Sequence, residues 1–430
     1  MLDDVAITTL PNGVRVITSR IPRVKSVSLG IWTEVGGRHE SVAESGLSHF
    51  LEHMVFKGTR RRNARQISQA VESRGGSINA YTDLEKTVYY VRVPSRWLSL
   101  GLDVLADMTT APRLDPADIV KERHVVLEEI AMGRDQADSH IFDMAYEALW
   151  RGHPLGRPLI GTEKSLAGVT RETMEAFRQN HYTAGGTVFA AAGLLEHEAF
   201  VEQVSAYAER LASLPKPRYR AVRKSTPQQP LVAEWREIEQ VQFVVGFRTF
   251  GRGDPRRYAL RILNSVLGEG MSSRLFQLVR ERHGLAYALS SSIYPYADTG
   301  ALLIDAAFAP EKTGKTVDLI ARELARLVER GVGVREFKRA RDSIVGSLDM
   351  IFEAPMGHLN WIAGGLQTEG RLVQPSEIQA GLMSVVPDDV QRLAAEVFRL
   401  EKISVAAIVP HGHQDVPQRC YRAFEAALNQ

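Results

Sequence analysis

The stretch LPKPRYRAVRKSTPQQP, residues 214–230, lies almost at the middle of the 430-residue chain. It contains four prolines, five lysines or arginines and little apolar periodicity, which is typical of a linker. Since a domain usually has roughly 100 to 200 residues, the stretch predicts a linker between an N-terminal domain, 1–213, and a C-terminal domain, 231–430. Its central position also suggests an internal duplication.

Both halves show the same coarse order of elements: strands, two helices, two strands, long helices, then a strand and a helix. The two halves therefore look like diverged copies offset by about 215 residues. The predicted fold class is α+β, with two repeated halves that each form a mainly antiparallel sheet backed by helices. The helix pairs are predicted near 45–56 and 64–74 and near 258–267 and 273–282, and the strands after them near 77–82 and 87–93 and near 285–293 and 301–308.

The composition limits the classes of protein to consider. Apolar residues make up 44% of the chain, and the mean hydropathy is −0.16. No apolar stretch approaches the roughly 18 residues of a membrane span, so we expect a soluble protein without membrane association. The N-terminus begins Met1-Leu2-Asp3-Asp4, without the basic and apolar regions of a secretory signal, which favours a cytoplasmic location.

The charge and the cysteine content exclude further classes of function and of metal site. With 53 basic and 51 acidic residues, the formal net charge is +2, so the chain has no global field that would attract nucleic acid. Cys420 is the single cysteine. A disulfide within the chain and a thiolate zinc cluster are excluded, and any metal must be held by histidine and carboxylate.

The segment SGLSHFLEHMVF, residues 45–56, has the periodicity of an amphipathic helix. His49 and His53 lie one turn apart on the side opposite the apolar stripe, with Glu52 beside them. Two imidazoles at this spacing can bind one Zn²⁺, and a carboxylate slightly off the metal is placed as a general base for water. The alternative is a pair of histidines that fall by chance on a half-buried helix. The apolar stripe consists of Leu47, Phe50, Leu51, Met54 and Val55.

A third metal ligand would come from another element. A helix is predicted from residue 116, because Asp115 is a good N-cap and Pro116 suits the first helical position. Glu122 and Glu129 are seven residues apart and share one face of this helix, whereas Glu128 is rotated by roughly 100°. Such carboxylates beside two histidines would complete a His₂Glu zinc site and support one of its ligands. The alternative is an ordinary exposed, charged helix.

Together these segments resemble the inverted zinc motif of the pitrilysin, insulin-degrading and mitochondrial-processing peptidases. The motif here is HFLEH at 49–53, followed 76 residues after His53 by Glu129. The resemblance covers essentially the whole chain, with fewer matches in the second half. It continues through FKGT at 56–59, GGSINAYT at 75–82, EKT at 85–87 and HPLG at 153–156.

The resemblance assigns roles to these residues. It implies that His49, His53 and Glu129 bind one zinc ion per chain and that Glu52 is the general base. It also implies that Glu122 assists catalysis as an auxiliary carboxylate that orients a ligand. The seven-residue spacing of the two glutamates in the family favours Glu129 over its neighbour as the ligand.

The second half differs, because the segment LNSVLGEGM at 263–271, which corresponds to the histidine helix, contains no histidine. Arg280 and Tyr287 resemble an arginine and tyrosine pair that, in the family, reaches the zinc half and holds the scissile peptide. Tyr287 would then donate to the developing oxyanion and Arg280 would bind substrate carbonyls. Without the resemblance, Arg280 would be interpreted as a surface residue and Tyr287 as a core residue.

The segment 77–82 predicts a short polar strand after a Gly-Gly turn. The resemblance implies that Asn79 and Ala80 belong to an edge strand that pairs with an extended peptide substrate. In this mode of binding, main-chain hydrogen bonds hold the peptide and alternate side chains enter pockets.

The expected activity is that of a zinc metalloendopeptidase acting on unfolded oligopeptides inside a chamber formed by two chains. Because similar two-domain chains pair, the resemblance implies a homodimer or a heterodimer with an inactive homologue. Two other interpretations stay open. One is a non-catalytic structural subunit, such as the core proteins of respiratory complexes, which usually lose part of the zinc motif. The other is a peptide-capturing processing or maturation subunit that is active only with a partner chain.

Overall fold

The structure is a computed structural model that describes residues 2, 4–226 and 228–428. The chain divides into two compact units. The boundary after Arg220 falls inside the expected linker 214–230, but each unit also takes a segment from the other half of the sequence. The first unit comprises Met1–Ala131, Pro158–Arg220 and Asp349–Pro375, and the second comprises Met132–Arg157, Ala221–Leu348 and Ser376–Gln430.

Strands and helices follow in the predicted coarse order. The strands are β1 (Val5–Thr9), β2 (Arg15–Arg20), β3 (Ser26–Thr33), β4 (Ser77–Thr82), β5 (Thr87–Pro94), β6 (Thr187–Gly193), β7 (Leu231–Arg236), β8 (Val241–Phe250), β9 (Ala286–Pro295), β10 (Thr299–Phe308) and β11 (Ile403–Pro410). The helices are α1 (Leu47–Val55), α2 (Ala64–Glu72), α3 (Leu98–Thr110), α4 (Pro116–Asp135), α5 (Ala137–Leu149), α6 (Glu163–Ala167), α7 (Arg171–His181), α8 (His197–Ala208), α9 (Arg257–Leu267), α10 (Thr313–Arg330), α11 (Val334–Ile351), α12 (Pro355–Glu369), α13 (Pro375–Ser384), α14 (Pro387–Val397) and α15 (Val416–Leu428). None of the helices that the structure describes is both long and apolar enough to cross a membrane.

The first unit contains a six-stranded sheet in the order β1-β2-β6-β3-β5-β4. β2 and β6 run parallel, and the other neighbouring strands run antiparallel. β3 and β6 are buried along nearly their whole length because helices cover both faces of the sheet. β4 lies at one edge of the sheet, where backbone groups are available to another strand.

Two apolar clusters hold this sheet between helices. On one face, residues of α1 to α4, α7 and α8 pack on the strands. On the other face, α12 packs on β2, β3 and β6, and its Leu359 and Ile362 belong to the same buried cluster as Trp32. The Arg15 guanidinium also donates to the Leu366 carbonyl at 2.8 Å. A helix from late in the sequence therefore completes the core of the first unit.

The second unit contains a five-stranded sheet in the order β7-β11-β8-β10-β9. β7 and β11 run parallel, and the other neighbours run antiparallel. One face packs on a large apolar cluster that includes α9, α10, α14 and α15. α5 packs on β8 and β11, and the Arg248 guanidinium donates to the Leu149 carbonyl at the end of this helix. A helix from early in the sequence thus belongs to the second unit.

The sheets confirm the predicted fold class. Without β1, the first sheet has the order β2-β6-β3-β5-β4, and the second repeats this order and the strand directions as β7-β11-β8-β10-β9. β8 begins 215 residues after β3, which agrees with the predicted offset. Both sheets are mainly antiparallel and backed by helices.

One predicted helix has a different geometry. The segment predicted near 273–282 becomes π-helical over Phe276–Arg282. At its end, the amide of Leu285 donates to the Val279 carbonyl at 3.0 Å, and the amide of Gly284 donates to the Arg280 carbonyl at 2.9 Å. π-Helical segments are rare and occur frequently at functional sites. The apolar periodicity of the sequence does not distinguish such a segment from an α-helix.

Candidate metal centre

The start of helix α1 is fixed by a glycine and a buried carboxylate. Gly46 has φ +90°, and a Cβ atom there would lie 2.5 Å from the carbonyl oxygen of Ile160, so other residues do not fit. The Glu40 carboxylate accepts from the amides of Gly46 at 2.8 Å and Ser48 at 2.7 Å. These contacts satisfy free amides at the helix N-terminus and place a negative charge there. Glu40 was not predicted, because it lies outside the helix.

The apolar stripe of α1 is buried as predicted. The polar side of the helix therefore faces the candidate metal centre and not the apolar core. His49 and His53 lie on this polar side, with ring centroids 4.6 Å apart. The i, i+4 spacing therefore brings two imidazoles together at the surface of the first unit's core. The buried residues of the stripe are Leu47, Phe50, Leu51, Met54 and Val55.

Glu129 of α4 joins the two histidines. One donor atom from each of His49, His53 and Glu129 lies within 4.8 Å of the others. Nε2 of His53 and Oε2 of Glu129 are 3.7 Å apart, and these side chains remain 19% and 35% exposed. Glu128 is exposed and is not part of the cluster. The structure therefore brings together the three predicted ligands, with an opening to solvent.

Glu122 lies behind His53 rather than in the cluster. Its buried carboxylate is 2.9 Å from Nδ1 of His53 and 2.6 Å from Nζ of Lys57. Since an ionised carboxylate only accepts hydrogen bonds, Nδ1 of His53 carries the proton. This contact leaves Nε2, which faces Glu129, as the His53 atom available to a metal. Lys57 was not predicted as a site residue, and it lies in the turn that follows α1.

Glu52 is held by the edge strand. The Thr82 hydroxyl donates to Oε2 of Glu52 at 2.5 Å. Burial raises the pKa of Glu52 above its ordinary value; the Thr82 hydrogen bond and His53 act in the opposite direction, and Glu129 adds to the increase. A raised pKa makes a carboxylate a stronger base toward a proton of water. Thr82 is the last residue of the segment GGSINAYT that contributes to the resemblance, but its contact with Glu52 was not predicted.

The environment of His49 favours its neutral form, which is the form that binds a metal. Burial, with a smaller effect of His53, lowers the pKa of His49 to about 4. Its imidazole is therefore uncharged at neutral pH, as metal binding requires. Nδ1 of His49 is buried and has no hydrogen-bond partner among the described residues. Two imidazoles and one carboxylate with an open side form a donor set that fits zinc.

Asn79 and Ala80 lie in the edge strand β4, in register with Tyr90 and Tyr89 of β5. The same strand ends at Thr82, which contacts Glu52. A peptide paired with the free edge of β4 would therefore run beside the candidate centre. The pairing itself stays a prediction.

Arg280 and Tyr287 form a pair within the second unit. The Arg280 guanidinium lies 4.4 Å from the centroid of the Tyr287 ring and donates to the Tyr287 carbonyl at 3.1 Å. Tyr287 is 80% exposed, so its interpretation as a core residue is wrong. An exposed aromatic ring held by an arginine is available to a ligand. The contact of this pair with substrate stays a prediction.

Comparisons with known proteins agree with the pattern of the site. Residues 15–163 match the family model described as Insulinase (Peptidase family M16), and residues 168–344 match Peptidase M16 inactive domain. An uncharacterised zinc protease of Streptomyces coelicolor is 36% identical over 397 residues, which cover 91% of this chain and 86% of that protein. An uncharacterised zinc protease of Mycobacterium tuberculosis is 36% identical over 420 residues, which cover 96% and 95%. The Bacillus subtilis protein YmxG, also an uncharacterised zinc protease, is 33% identical over 411 residues, which cover 94% and 98%.

Solved structures show the same fold. A peptidase M16 inactive domain from Pseudomonas fluorescens has a TM-score of 0.87 at 18% identity, with 94% of this chain and 98% of that chain covered. A protease from Helicobacter pylori has a TM-score of 0.87 at 21% identity, with 95% and 100% covered. Since relatives at least 33% identical extend over more than nine-tenths of this chain, the resemblance found in the sequence is confirmed, and the chain belongs to peptidase family M16, the insulinase family.

Proposed function

We propose that this chain is a zinc-dependent endopeptidase with one zinc ion held by His49, His53 and Glu129. The observation that carries the proposal is the convergence of three donor atoms within 4.8 Å, from two helices distant in sequence. Glu52 lies beside this cluster and is the proposed general base. The relatives named zinc proteases support the metal and the reaction class.

Each residue has a defined task in the proposed reaction. Bound zinc would supply Lewis-acid activation of a water molecule and of the scissile carbonyl. Glu52 takes a proton from the attacking water and later passes it to the leaving amine. The Thr82 hydroxyl keeps Oε2 of Glu52 in place. Glu122 accepts from Nδ1 of His53 and so keeps Nε2 free for the metal.

The proposed substrate is an extended peptide on the free edge of β4. Main-chain hydrogen bonds along Asn79 and Ala80 would hold it with little dependence on sequence. Tyr287 would donate to the oxyanion and Arg280 would bind substrate carbonyls. The exposed, paired state of Tyr287 supports this assignment. Pairing with the edge of β4 requires an extended backbone, which an unfolded oligopeptide can adopt more readily than a folded protein.

The proposed assembly is a pair of chains that encloses the substrate, in the cytoplasm. A homodimer is sufficient because one chain carries both the metal ligands and the Arg280 and Tyr287 pair. The inactive-domain match at 168–344 agrees with the absence of histidine from 263–271.

We also propose that 1–213 and 231–430 are the two duplicated domains, joined by 214–230.

The proposed function is tested with the purified chain and internally quenched peptides. We expect cleavage at internal bonds, loss of cleavage after removal of metal by a chelator, and recovery after addition of zinc. Metal analysis should give one zinc per chain, and light scattering should give the mass of a dimer. A zinc-loaded protein that cleaves no peptide alone but does so with a second chain would favour the processing-subunit interpretation. A protein that neither binds zinc nor cleaves peptides would favour the structural one.

Substitutions of Glu122 and Lys57, which lie on the Nδ1 side of His53, are expected to weaken zinc binding. Glu122→Ala removes the acceptor of the Nδ1 proton, and we expect an affinity about 10- to 100-fold lower. Lys57→Met leaves the carboxylate without its cation, and a smaller loss in the same direction is expected. Competition with a chromophoric zinc chelator measures both. Lys121→Met, which removes an exposed lysine from the same helix as Glu122, is the control. Equal affinity in all four proteins would refute the orienting role.

A further inference from the structure

A basic pocket of about 480 Å³ lies at the start of strand β4, at the end opposite to Thr82. Its lining includes the cationic residues Lys25 and Arg92 together with the turn Gly75-Gly76 and Ser77. All of these residues belong to the first unit. The pocket is therefore next to the same strand edge that is proposed to bind peptide.

The Gly-Gly turn produces this pocket. Gly75 has φ +73°, a conformation that favours glycine. A Cβ atom on Gly76 would lie 2.6 Å from Cγ1 of Val93 and 2.7 Å from the Arg92 carbonyl oxygen. Glycine thus allows the turn to approach β5 closely and leaves no side chain of its own in the pocket. The turn that was predicted only as a strand boundary also shapes a concave surface.

The register of the sheet places Arg92 on the same face as Ser77, which is opposite to the face that carries Thr82. Ser77 is opposite Arg92 in the β4–β5 pair, and Asn79 is opposite Tyr90. Side chains of opposite residues stand on the same face of a sheet, and this face repeats every second residue. Arg92, Ser77 and Asn79 therefore line one face of the edge. Alternate side chains of a peptide added to β4 would lie on this face.

The charge of the pocket is not compensated. Lys25 and Arg92 are exposed, and neither forms an ion pair with a carboxylate of the residues that the structure describes. The lining of the pocket contains no acidic residue. In contrast, Arg61 and Arg62 of the same unit each contact both Asp103 and Asp107. Two cations beside a polar concave surface favour an anionic ligand, and a guanidinium is suited to a carboxylate.

We propose that this pocket is a subsite for a carboxylate of the bound peptide, from an aspartate or glutamate side chain or from the C-terminus. Ser77 lies five residues before Thr82, a distance of about 17 Å along a strand. Because Thr82 contacts Glu52, the carboxylate would lie four or five residues from the scissile bond. The inference rests on the proposed function, since it places the peptide on β4 beside the candidate centre.

The test measures binding without turnover, by fluorescence anisotropy with the zinc-loaded Glu52→Gln protein. The probes are fluorescent ten-residue peptides in which one glutamate is moved along an otherwise neutral sequence, each with a glutamine counterpart. Every peptide is made with a free and with an amidated C-terminus, which separates the two sources of carboxylate. We expect roughly fivefold tighter binding when the carboxylate occupies the subsite, and this difference should fall as ionic strength rises.

The charge variants assign the effect to the pocket. Arg92→Gln and Lys25→Gln in the Glu52→Gln background should reduce the preference, and Arg92→Lys should retain part of it. Arg96→Gln, which removes an exposed arginine near the pocket but outside its lining, should leave the preference unchanged. Thermal unfolding of each variant confirms that the exposed substitutions preserve the fold. A preference that survives Arg92→Gln, or the absence of any preference, would overturn the proposal.

The failure of this proposal differs from the failure of the proposed function. If the unsubstituted zinc protein cleaves neutral and acidic peptides equally, the subsite is rejected and the peptidase function stands. If no peptide is cleaved but the preference depends on Arg92, the subsite stands and catalysis is rejected. If no peptide binds to any variant, both proposals are rejected.

Discussion

Glu52→Gln is expected to reduce kcat/KM for peptide hydrolysis by about 10²- to 10⁴-fold while the protein keeps one zinc per chain. The loss has the size of a general acid–base contribution, because glutamine cannot take the proton from water. Zinc is expected to stay bound, since Glu52 is not one of the three clustered donors. Glutamine has the shape of glutamate, and its carbonyl oxygen can accept the Thr82 hydrogen bond, so the fold should be preserved.

Quenched-peptide assays and metal analysis of the same preparation measure the two parts of this prediction. Glu72→Gln is the matched control, because it makes the same change on the exposed surface of α2. Its activity and zinc content should equal those of the unsubstituted protein. Activity that persists in Glu52→Gln would reject Glu52 as the base. Loss of zinc together with activity would instead identify Glu52 as a metal ligand.

Local periodicity explains which features were predictable. The stripe from Leu47 to Val55 and the spacing of His49 and His53 are properties of one helix, and the structure forms that helix at Leu47–Val55. The predicted order of strands also follows from short alternating or apolar segments, and the repeated order reveals the duplication. The signal for each single helix or strand lies within about ten residues of sequence, where the backbone period determines which side chains share a face.

Contacts between distant elements were not predictable in the same way. The hydrogen bond from Thr82 to Glu52 and the contacts of Lys57 and His53 with Glu122 depend on how strands and helices pack. The shared face of α4 placed Glu122 and Glu129 together, but it did not show that one contacts the back of His53 and the other faces its Nε2.

The membership of α5 and α12 in the two units has the same physical cause. An amphipathic helix shows which of its faces is buried, but its sequence does not show which sheet covers that face. α5 comes from the first half of the sequence and packs on β8 and β11, whereas α12 comes from the second half and packs on β2, β3 and β6. The linear division at 214–230 stays a prediction, and each compact unit takes one helix from the other half of the sequence.

Glu129→Gln is expected to lower zinc affinity by at least about 10²-fold, whereas Glu128→Gln should bind zinc like the unsubstituted protein. Loss of a direct carboxylate ligand should exceed the 10- to 100-fold effect usual for groups that only support a ligand. Oε2 of Glu129 lies 3.7 Å from Nε2 of His53, while the neighbouring Glu128 is exposed and outside the cluster. The two changes are chemically identical and occur in the same helix, so helix propensity and net charge change equally.

Competition with a zinc chelator and peptide cleavage at saturating zinc distinguish the possible outcomes for this pair. We expect Glu129→Gln to lose most activity at low zinc and to recover part of it as zinc rises, because His49 and His53 remain. The opposite result, with zinc lost only in Glu128→Gln, would transfer the ligand role to Glu128. Equal losses in both variants would show that charge on α4, rather than one carboxylate bond, controls the metal. We expect the first of these outcomes, in which Glu129→Gln loses most activity at low zinc. Glu129 and Glu122 lie on one face of α4, and both side chains contact His53.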